Sequence, residues 1–271
     1  MASSEEKPPA VRQSIDRVLA VVLAAGEGTR LRPFTADLPK AMLSVGGVTL
    51  LERQLDSLAS VGVHHVAVVA GHGWRSIETL LDDGRRSGRW DLAIELMVNS
   101  DFRSTGTAGS LLLGLGHSAC VDAQGVLVVE GDVLLHPGAL RRLLDRDDDH
   151  DVQVLAASTP LESSLIRADA TGTVRRIVHR SDLTGAPAGP DGRADFYNLS
   201  CYRFAGSSME LVRLLDQALS VAPRINVERV IDSLCDTGRI GLALVDPEWA
   251  IEIDTPEDLK VAQRYVEFGE W

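Results

Sequence analysis

Two groups of residues in this 271-residue chain have the types and spacing for phosphate chemistry. The first is the stretch 23–40, LAAGEGTRLRPFTADLPK. At Leu23, Ala24, Ala25, Gly26 and Gly28 no bulky polar or aromatic side chain keeps a ligand away from the backbone. Successive N–H groups in such a turn can point at phosphate oxygens. Thr29, Arg30, Arg32 and Lys40 follow, and arginine can grip a phosphate through two parallel hydrogen bonds. The second group is acidic: EGD at 130–132 and EID at 252–254. Asp132 and Asp254 are candidate ligands for Mg2+, which takes hard oxygen donors and commonly uses one or two carboxylates plus substrate phosphates. Glu252 shares a face with Asp254 if the segment is extended. Glu130 stands in the same relation to Asp132, without an assigned role.

A cationic small-residue loop and a carboxylate pair in one cleft would bind a nucleoside triphosphate with its metal. Phosphate chemistry at such a site needs positioning and charge stabilisation rather than a protein nucleophile. The loop does not fit two commoner phosphate motifs. Leu31 stands where a dinucleotide fingerprint has its third glycine. No Gly-Lys-Ser/Thr follows, so it is not a Walker A loop.

The elements needed to hold these residues can be read from alternating patterns. VLAVVL at 18–23 predicts a buried strand, 47–61 a helix, 65–71 a strand, 74–83 a helix and 91–98 a strand. A helix over 107–116, a strand over 125–132 and a helix over 137–145 continue the rhythm. It implies an α/β fold with a doubly wound, mainly parallel sheet. Ligands on such sheets sit at strand carboxyl ends, where Gly26, Gly71 and Asp132 fall. From 150 the pattern changes to strands at 152–159, 173–180 and 195–204, with the Gly/Pro-rich LTGAPAGPDGRAD between the last two. This predicts a small antiparallel insertion, about 156–204, forming the outer wall of an acceptor pocket. Helices over 207–220 and 226–236, a strand over 240–245 and a helix from Thr255 complete one domain over 16–271. Asp254 is also placed for an N-cap role before that last helix.

Composition narrows the partners. With 27 basic and 39 acidic residues, the net charge of −12 argues against a broad nucleic-acid surface. No apolar run reaches the ~20 residues of a membrane helix. The polar MASSEEKPPAVRQS lacks a signal peptide's apolar segment, and residues 1–15 read as a disordered tail. Cys120, Cys201 and Cys235 have no metal-site spacing and suit a reducing cytoplasm. The acidic run RDDDHD at 146–151 reads as a solvated loop. A homo-oligomer is compatible with all of this.

The full pattern GxGTRLRP, six residues, then Lys40 resembles the signature of the nucleotidyltransferases that make nucleotide-activated sugars and alcohols. Gly26, Gly28, Thr29, Arg30, Leu31, Pro33, Pro39 and Lys40 carry the match. EGDVLLHP at 130–137 and EIDTPEDLKVA at 252–262 resemble that family's two metal motifs, so the similarity spans about 17–266. Within it, the chain is most similar to the short bacterial choline-phosphate and phosphonate cytidylyltransferases. The resemblance implies a Rossmann-like nucleotidyltransferase fold, Mg2+ as cofactor and CTP as the nucleotide. It implies that Gly26, Gly28 and Thr29 cradle phosphates, that Arg30 neutralises the leaving pyrophosphate, and that Lys40 meets the α-phosphate or the acceptor's anionic group. It also places a nucleotide-binding turn at 100–110, where Thr105, Thr107 and Ser110 offer hydroxyls. Ala70 and Gly71 would line the base edge with backbone groups.

The acceptor is the point of departure from those relatives. A choline group calls for an aromatic cage, yet the chain is 4% aromatic and LESSLIRADA at 161–170 has no aromatic residue. Tyr197, Tyr202 and Trp249 are the remaining wall candidates. Asp195, Asn198 and Glu228 suit hydroxyls or a primary amine. An aminoalkyl or hydroxyalkyl phosphonate, or a phosphorylated sugar or cyclitol, fits these residues. A sugar-1-phosphate enzyme using UTP, dTTP or GTP, and a non-catalytic nucleotide sensor, stay open beside the cytidylyltransferase reading.

Overall fold

The computed structural model describes residues 15–145, 150–158, 163–183, 195–246 and 248–269. The expected tail, apart from Ile15, most of the acidic run and most of the Gly/Pro-rich loop lie outside the described residues.

In chain order the elements are β1 (Val18–Ala24), β2 (Ser44–Val45), β3 (Val48–Thr49), α1 (Leu50–Ser60), β4 (His65–Ala70), α2 (Trp74–Ser87) and β5 (Ala93–Val98). Then come α3 (Thr107–Gly114), β6 (Gly125–Glu130), β7 (Val133–Leu135), α4 (Pro137–Leu144), β8 (Val152–Ala157), β9 (Leu165–Ala168) and β10 (Val174–Val178). The remainder is β11 (Asp195–Ala205), α5 (Ser208–Val221), α6 (Val227–Asp232), β12 (Ile240–Val245), β13 (Ala250–Glu252) and α7 (Pro256–Phe268). None of the described helices is long and apolar enough to cross a membrane.

The nine-stranded main sheet runs β10-β9-β11-β6-β1-β4-β5, and β8 and β12 extend it beside β11. The block β6-β1-β4-β5 is parallel. β11 runs antiparallel to β6, β8 and β9, and β9 pairs antiparallel with β10. The parallel part and the antiparallel insertion therefore stand as the sequence predicts. Side chains of α1, α2 and α4 fill one face of the sheet, and those of α3, α5 and α6 the other. This is the doubly wound arrangement of strands that are apolar on both sides.

Three local expectations are corrected. The helix predicted over 47–61 begins at Leu50, because Thr49 and Glu52 form a capping box and the preceding residues close a β2–β3 hairpin. The helix predicted over 226–236 is a six-residue α6 followed by a separate 3-10 turn, Cys235–Thr237. The cap of α7 is Thr255, which accepts from Asp258 N–H, so Asp254 is not used for capping.

Candidate active site

The acidic motifs are 120 residues apart in sequence and are joined by one short ladder. β7 and β13 pair antiparallel with Val133 opposite Glu252, and Ile253 N–H donates to Asp132 C=O at 2.9 Å. The buried Gln54 of α1 clamps the 130–133 turn by donating to the carbonyls of Glu130 (2.9 Å) and Val133 (2.8 Å). On the other strand, Asp258 accepts from the backbone N–H of Asp254 and Thr255 at 3.0 and 2.7 Å. One oxygen each from Asp132, Glu252 and Asp254 then lies within 4.8 Å of the others.

The loop after β1 closes onto this cluster. Gly28 has φ +61°, a left-handed conformation that costs glycine nothing, and Thr35 Oγ1 donates to its carbonyl at 2.6 Å. Leu31 is fully buried in a small core with Leu50, Leu134, Ile251 and Leu259. Burying such a side chain contributes about 2 kcal/mol, and it pins the neighbouring Arg30. Arg30 reaches Asp254 Oδ1 at 2.7 Å. Lys40, 9% exposed, donates from Nζ to Asp132 Oδ2 at 2.6 Å and to Asp254 Oδ1 at 2.5 Å. Arg180, just after β10, donates to Asp254 Oδ2 at 3.0 Å.

The electrostatics follow from this crowding. Burial works against the charge on Lys40, but Asp132 and Asp254 outweigh it and raise its pKa. For Asp254 burial is likewise outweighed, by Lys40 and Arg30, and its carboxyl is held below the ordinary range. For Glu130 and Glu252 the attraction of Lys40 does not outweigh burial. Burial first, then the neighbouring carboxylates, raises Glu130 well above its usual value and pushes Glu252 up to about 8. The donor set fits a hard divalent cation: three carboxylates converge, and Asp132 Oδ1 is buried without a hydrogen-bond partner.

The cluster lies in a cleft of about 340 Å³ lined by Gly26, Gly28, Thr29, Arg30 and Lys40 on one side. Leu23, Ala24, Ala25 and Ser110 line an adjoining recess of about 150 Å³, and Gly26, Lys40 and Thr107 line both. Four expected nucleotide or base residues sit differently from the rest. Ala70 is fully buried, and Gly71 is covered by the ring of Phe102, so neither lines these cavities. Thr105 Oγ1 is bound within its own turn, to Asn99 and the Asp101 carbonyl. Thr107 Oγ1 accepts from Val227 N–H at 2.9 Å, and Asn226 Oδ1 accepts from Thr107 N–H at 3.3 Å, which ties α3 to α6.

Of the acceptor candidates, Glu228 lines the cleft together with Lys40. Asn198 is fully buried behind it, bound to Tyr202 Oη at 2.7 Å. Asp195 pairs with Arg167 across the β9–β11 ladder, and Tyr197 does not line the cleft either. Ser163, Ser164, His179, Arg180, Ser200 and Asn226 line it without having been anticipated. Ser200 sits at a register break in β11, between Asn198 and Tyr202, with φ +50°. That region is uncommon for a residue with a side chain. The absence of aromatics in 161–170 was visible in the sequence, but nothing in VHRSD signalled a site.

Comparison with known proteins gives the family and the fold. Residues 20–185 match the MobA-like NTP transferase domain. A CMP-5'-(3-aminopropyl)phosphonate synthase of Streptomyces rubellomurinus is 34% identical over 169 residues, covering 62% of this chain and 26% of that protein. A mannose-1-phosphate guanylyltransferase of Mycobacterium tuberculosis is 28% identical over 249 residues, covering 89% of this chain and 62% of that protein. The matched stretch is thus less than two thirds of either relative's length. The solved inositol-1-phosphate CTP transferase of T. maritima superposes with a TM-score of 0.72 at 22% identity, covering 96% of this chain and all of that one, which shows a shared fold. On the strength of the matched domain, the chain belongs to the MobA-like NTP transferase family.

Proposed function

We propose that the protein condenses a nucleoside triphosphate, CTP in the first instance, with a small phosphate or phosphonate acceptor and releases pyrophosphate. One observation carries this reading. A small-residue loop, three cations and three carboxylates, one with an orphaned buried oxygen, share a single cleft. Asp132, Glu252 and Asp254 would hold Mg2+, which when bound offsets the repulsion between two anionic substrates. The loop N–H groups and Thr29 receive phosphate oxygens. Arg30 stabilises the charge that gathers on the leaving group. Lys40 and Arg180 orient the acceptor's anionic group. An ionised acceptor oxygen forms the new bond to the α-phosphorus as the bond to the departing pyrophosphate breaks. No protein nucleophile takes part.

CTP is supported by the two cytidine-handling proteins above, one related in sequence and one in fold. The guanylyltransferase match over 89% of the chain favours a second reading, a sugar-1-phosphate acceptor with another nucleotide. Pyrophosphate release measured with CTP, UTP, dTTP and GTP against phosphate, phosphonate and sugar-1-phosphate acceptors separates them. Nucleotide binding with no release from any pair would reject both and leave a nucleotide sensor.

A further inference from the structure

Ser200 pays for its position in the cleft with backbone strain. Its φ is +50°, and every other described residue with a left-handed φ is a glycine. Side chains rarely adopt that region, because Cβ then crowds a neighbouring carbonyl oxygen. Ser200 lies inside β11, where that strand changes partners. Residues 195–197 pair with β9 and residues 201–205 with β6, and the register with β8 shifts between Asn198 and Tyr202. Glycine fits the left-handed position of such a bulge at no steric cost. The chain keeps a side chain there instead.

The surroundings brace this bulge without using the Ser200 hydroxyl. Ser200 N–H donates to Asn198 Oδ1 at 3.2 Å. Asn198 is itself fixed by the 163–164 segment. Its N–H donates to Ser164 C=O at 2.9 Å, and its carbonyl accepts from Ser163 Oγ at 2.6 Å. The Ser200 hydroxyl bonds Tyr202, whose Oη already accepts from Asn198 Nδ2 at 2.7 Å. A hydroxyl has one donor and two acceptor positions, so one bond inward leaves capacity toward the cleft that Ser200 lines. Strain of this kind persists where the surroundings enforce it, and it clusters at functional surfaces. We propose that Ser200 is a specificity-determining residue of the cleft: its hydroxyl hydrogen-bonds the body of the acceptor, beyond the phosphoryl or phosphonyl group, and the strained bulge presents it. The inference rests on the transferase reading and adds a residue to it without choosing the acceptor.

The test compares wild type, Ser200→Ala and Ser200→Gly with the four nucleotides and three probe acceptors. These are α-glucose 1-phosphate, 2-hydroxyethylphosphonate and ethylphosphonate, the last with no hydrogen-bonding group on its body. The readouts are pyrophosphate release, calorimetric binding to the nucleotide-loaded protein, and Tm. Wild type should favour at least one hydroxylated probe over ethylphosphonate by about tenfold in kcat/KM, the scale of one well-made hydrogen bond. Both variants should lose that preference through the acceptor KM. Tm separates the backbone from the hydroxyl. Both variants lack the Tyr202 bond, but only glycine is free of strain, so Ser200→Gly should melt about 2–4 °C above Ser200→Ala. A merely structural serine would give the Tm difference with acceptor preference unchanged, and that result overturns the proposal. So does a wild type that does not distinguish the probes, whether or not the variants fold, or a glycine variant no more stable than the alanine one. Absence of pyrophosphate release with every nucleotide and acceptor would instead strike the transferase reading. Calorimetry then still decides Ser200, because equal affinity for the three probes, or none, overturns it.

Discussion

The two walls of the cleft are built differently. The loop wall comes from contiguous sequence, 23–40, and works through backbone and small residues with cations at its edge. The opposite wall draws Ser163, His179, Arg180, Ser200, Asn226 and Glu228 from four separated segments and works through side chains. A surface that must fit a constant triphosphate can be a short motif. A surface that discriminates among acceptors has to be assembled from wherever the fold supplies a polar group. Asp132, Glu252 and Asp254 lie where the two walls meet.

The largest test of this division removes what both walls share. Asp132→Asn should lower pyrophosphate release by about two orders of magnitude or more, with the circular dichroism spectrum unchanged, as for loss of a key charge stabiliser. A folded variant near wild-type rate would remove Asp132 from the metal site. The next disturbs the seam between the walls. A Cβ at Gly106 would lie 2.0 Å from the Ile225 carbonyl oxygen and 2.6 Å from that of Arg224, both backbone atoms. Gly106→Ala should therefore cost about 1–3 kcal/mol in chemical denaturation and weaken nucleotide and acceptor binding together, since Thr107 and Asn226 move with it. Loss of only one affinity would show the walls to be independent.

A finer test addresses Lys40. With its ammonium gone, the three carboxylates carry more uncompensated charge, so Lys40→Met should bind Mn2+ more tightly, on the order of tenfold, by titration without nucleotide. Unchanged affinity would show that Lys40 does not compete for the site. The smallest effect lies away from both walls. Burial lowers the pKa of His117, so the folded protein resists protonating it while the unfolded chain binds a proton near its ordinary value. Its contribution is present above about pH 6.5 and is lost as pH falls through that value toward the lower folded pKa. His117→Gln should show a smaller fall in Tm than wild type between pH 7.5 and 5, with cleft ligands bound equally by both. An identical fall would place the acid sensitivity elsewhere.

Much of the loop wall was legible because each residue answers a local demand. A turn needs Gly28, a buried strand needs VLAVVL, and the proposed phosphate site takes Arg30 and Thr29. The misplacements at Ala70, Gly71 and Thr105 have one cause. Being at a strand end or helix start puts a residue near the cleft, but Phe102 and Asn99, from neighbouring turns, decided whether it was reached. Asp195 and Asn198 have suitable chemistry, yet the β9–β11 ladder and the bulge in β11 put them beside or behind the cleft rather than in it.

The sequence by itself determined the chemistry on offer: a cationic loop with room for phosphates, two acidic motifs, strands apolar on both faces, and a stretch 161–170 without an aromatic residue. These are properties of residue type and near spacing, which the chain carries whatever its path. Only the tertiary structure decided which groups share charge. The β7–β13 ladder brings Asp132 to Glu252 and Asp254, Lys40 lies between two of those acids, and Glu228 meets His179. Electrostatic pairing depends on distance and burial, and residues 92 to 214 positions apart acquire both only when the sheet is complete.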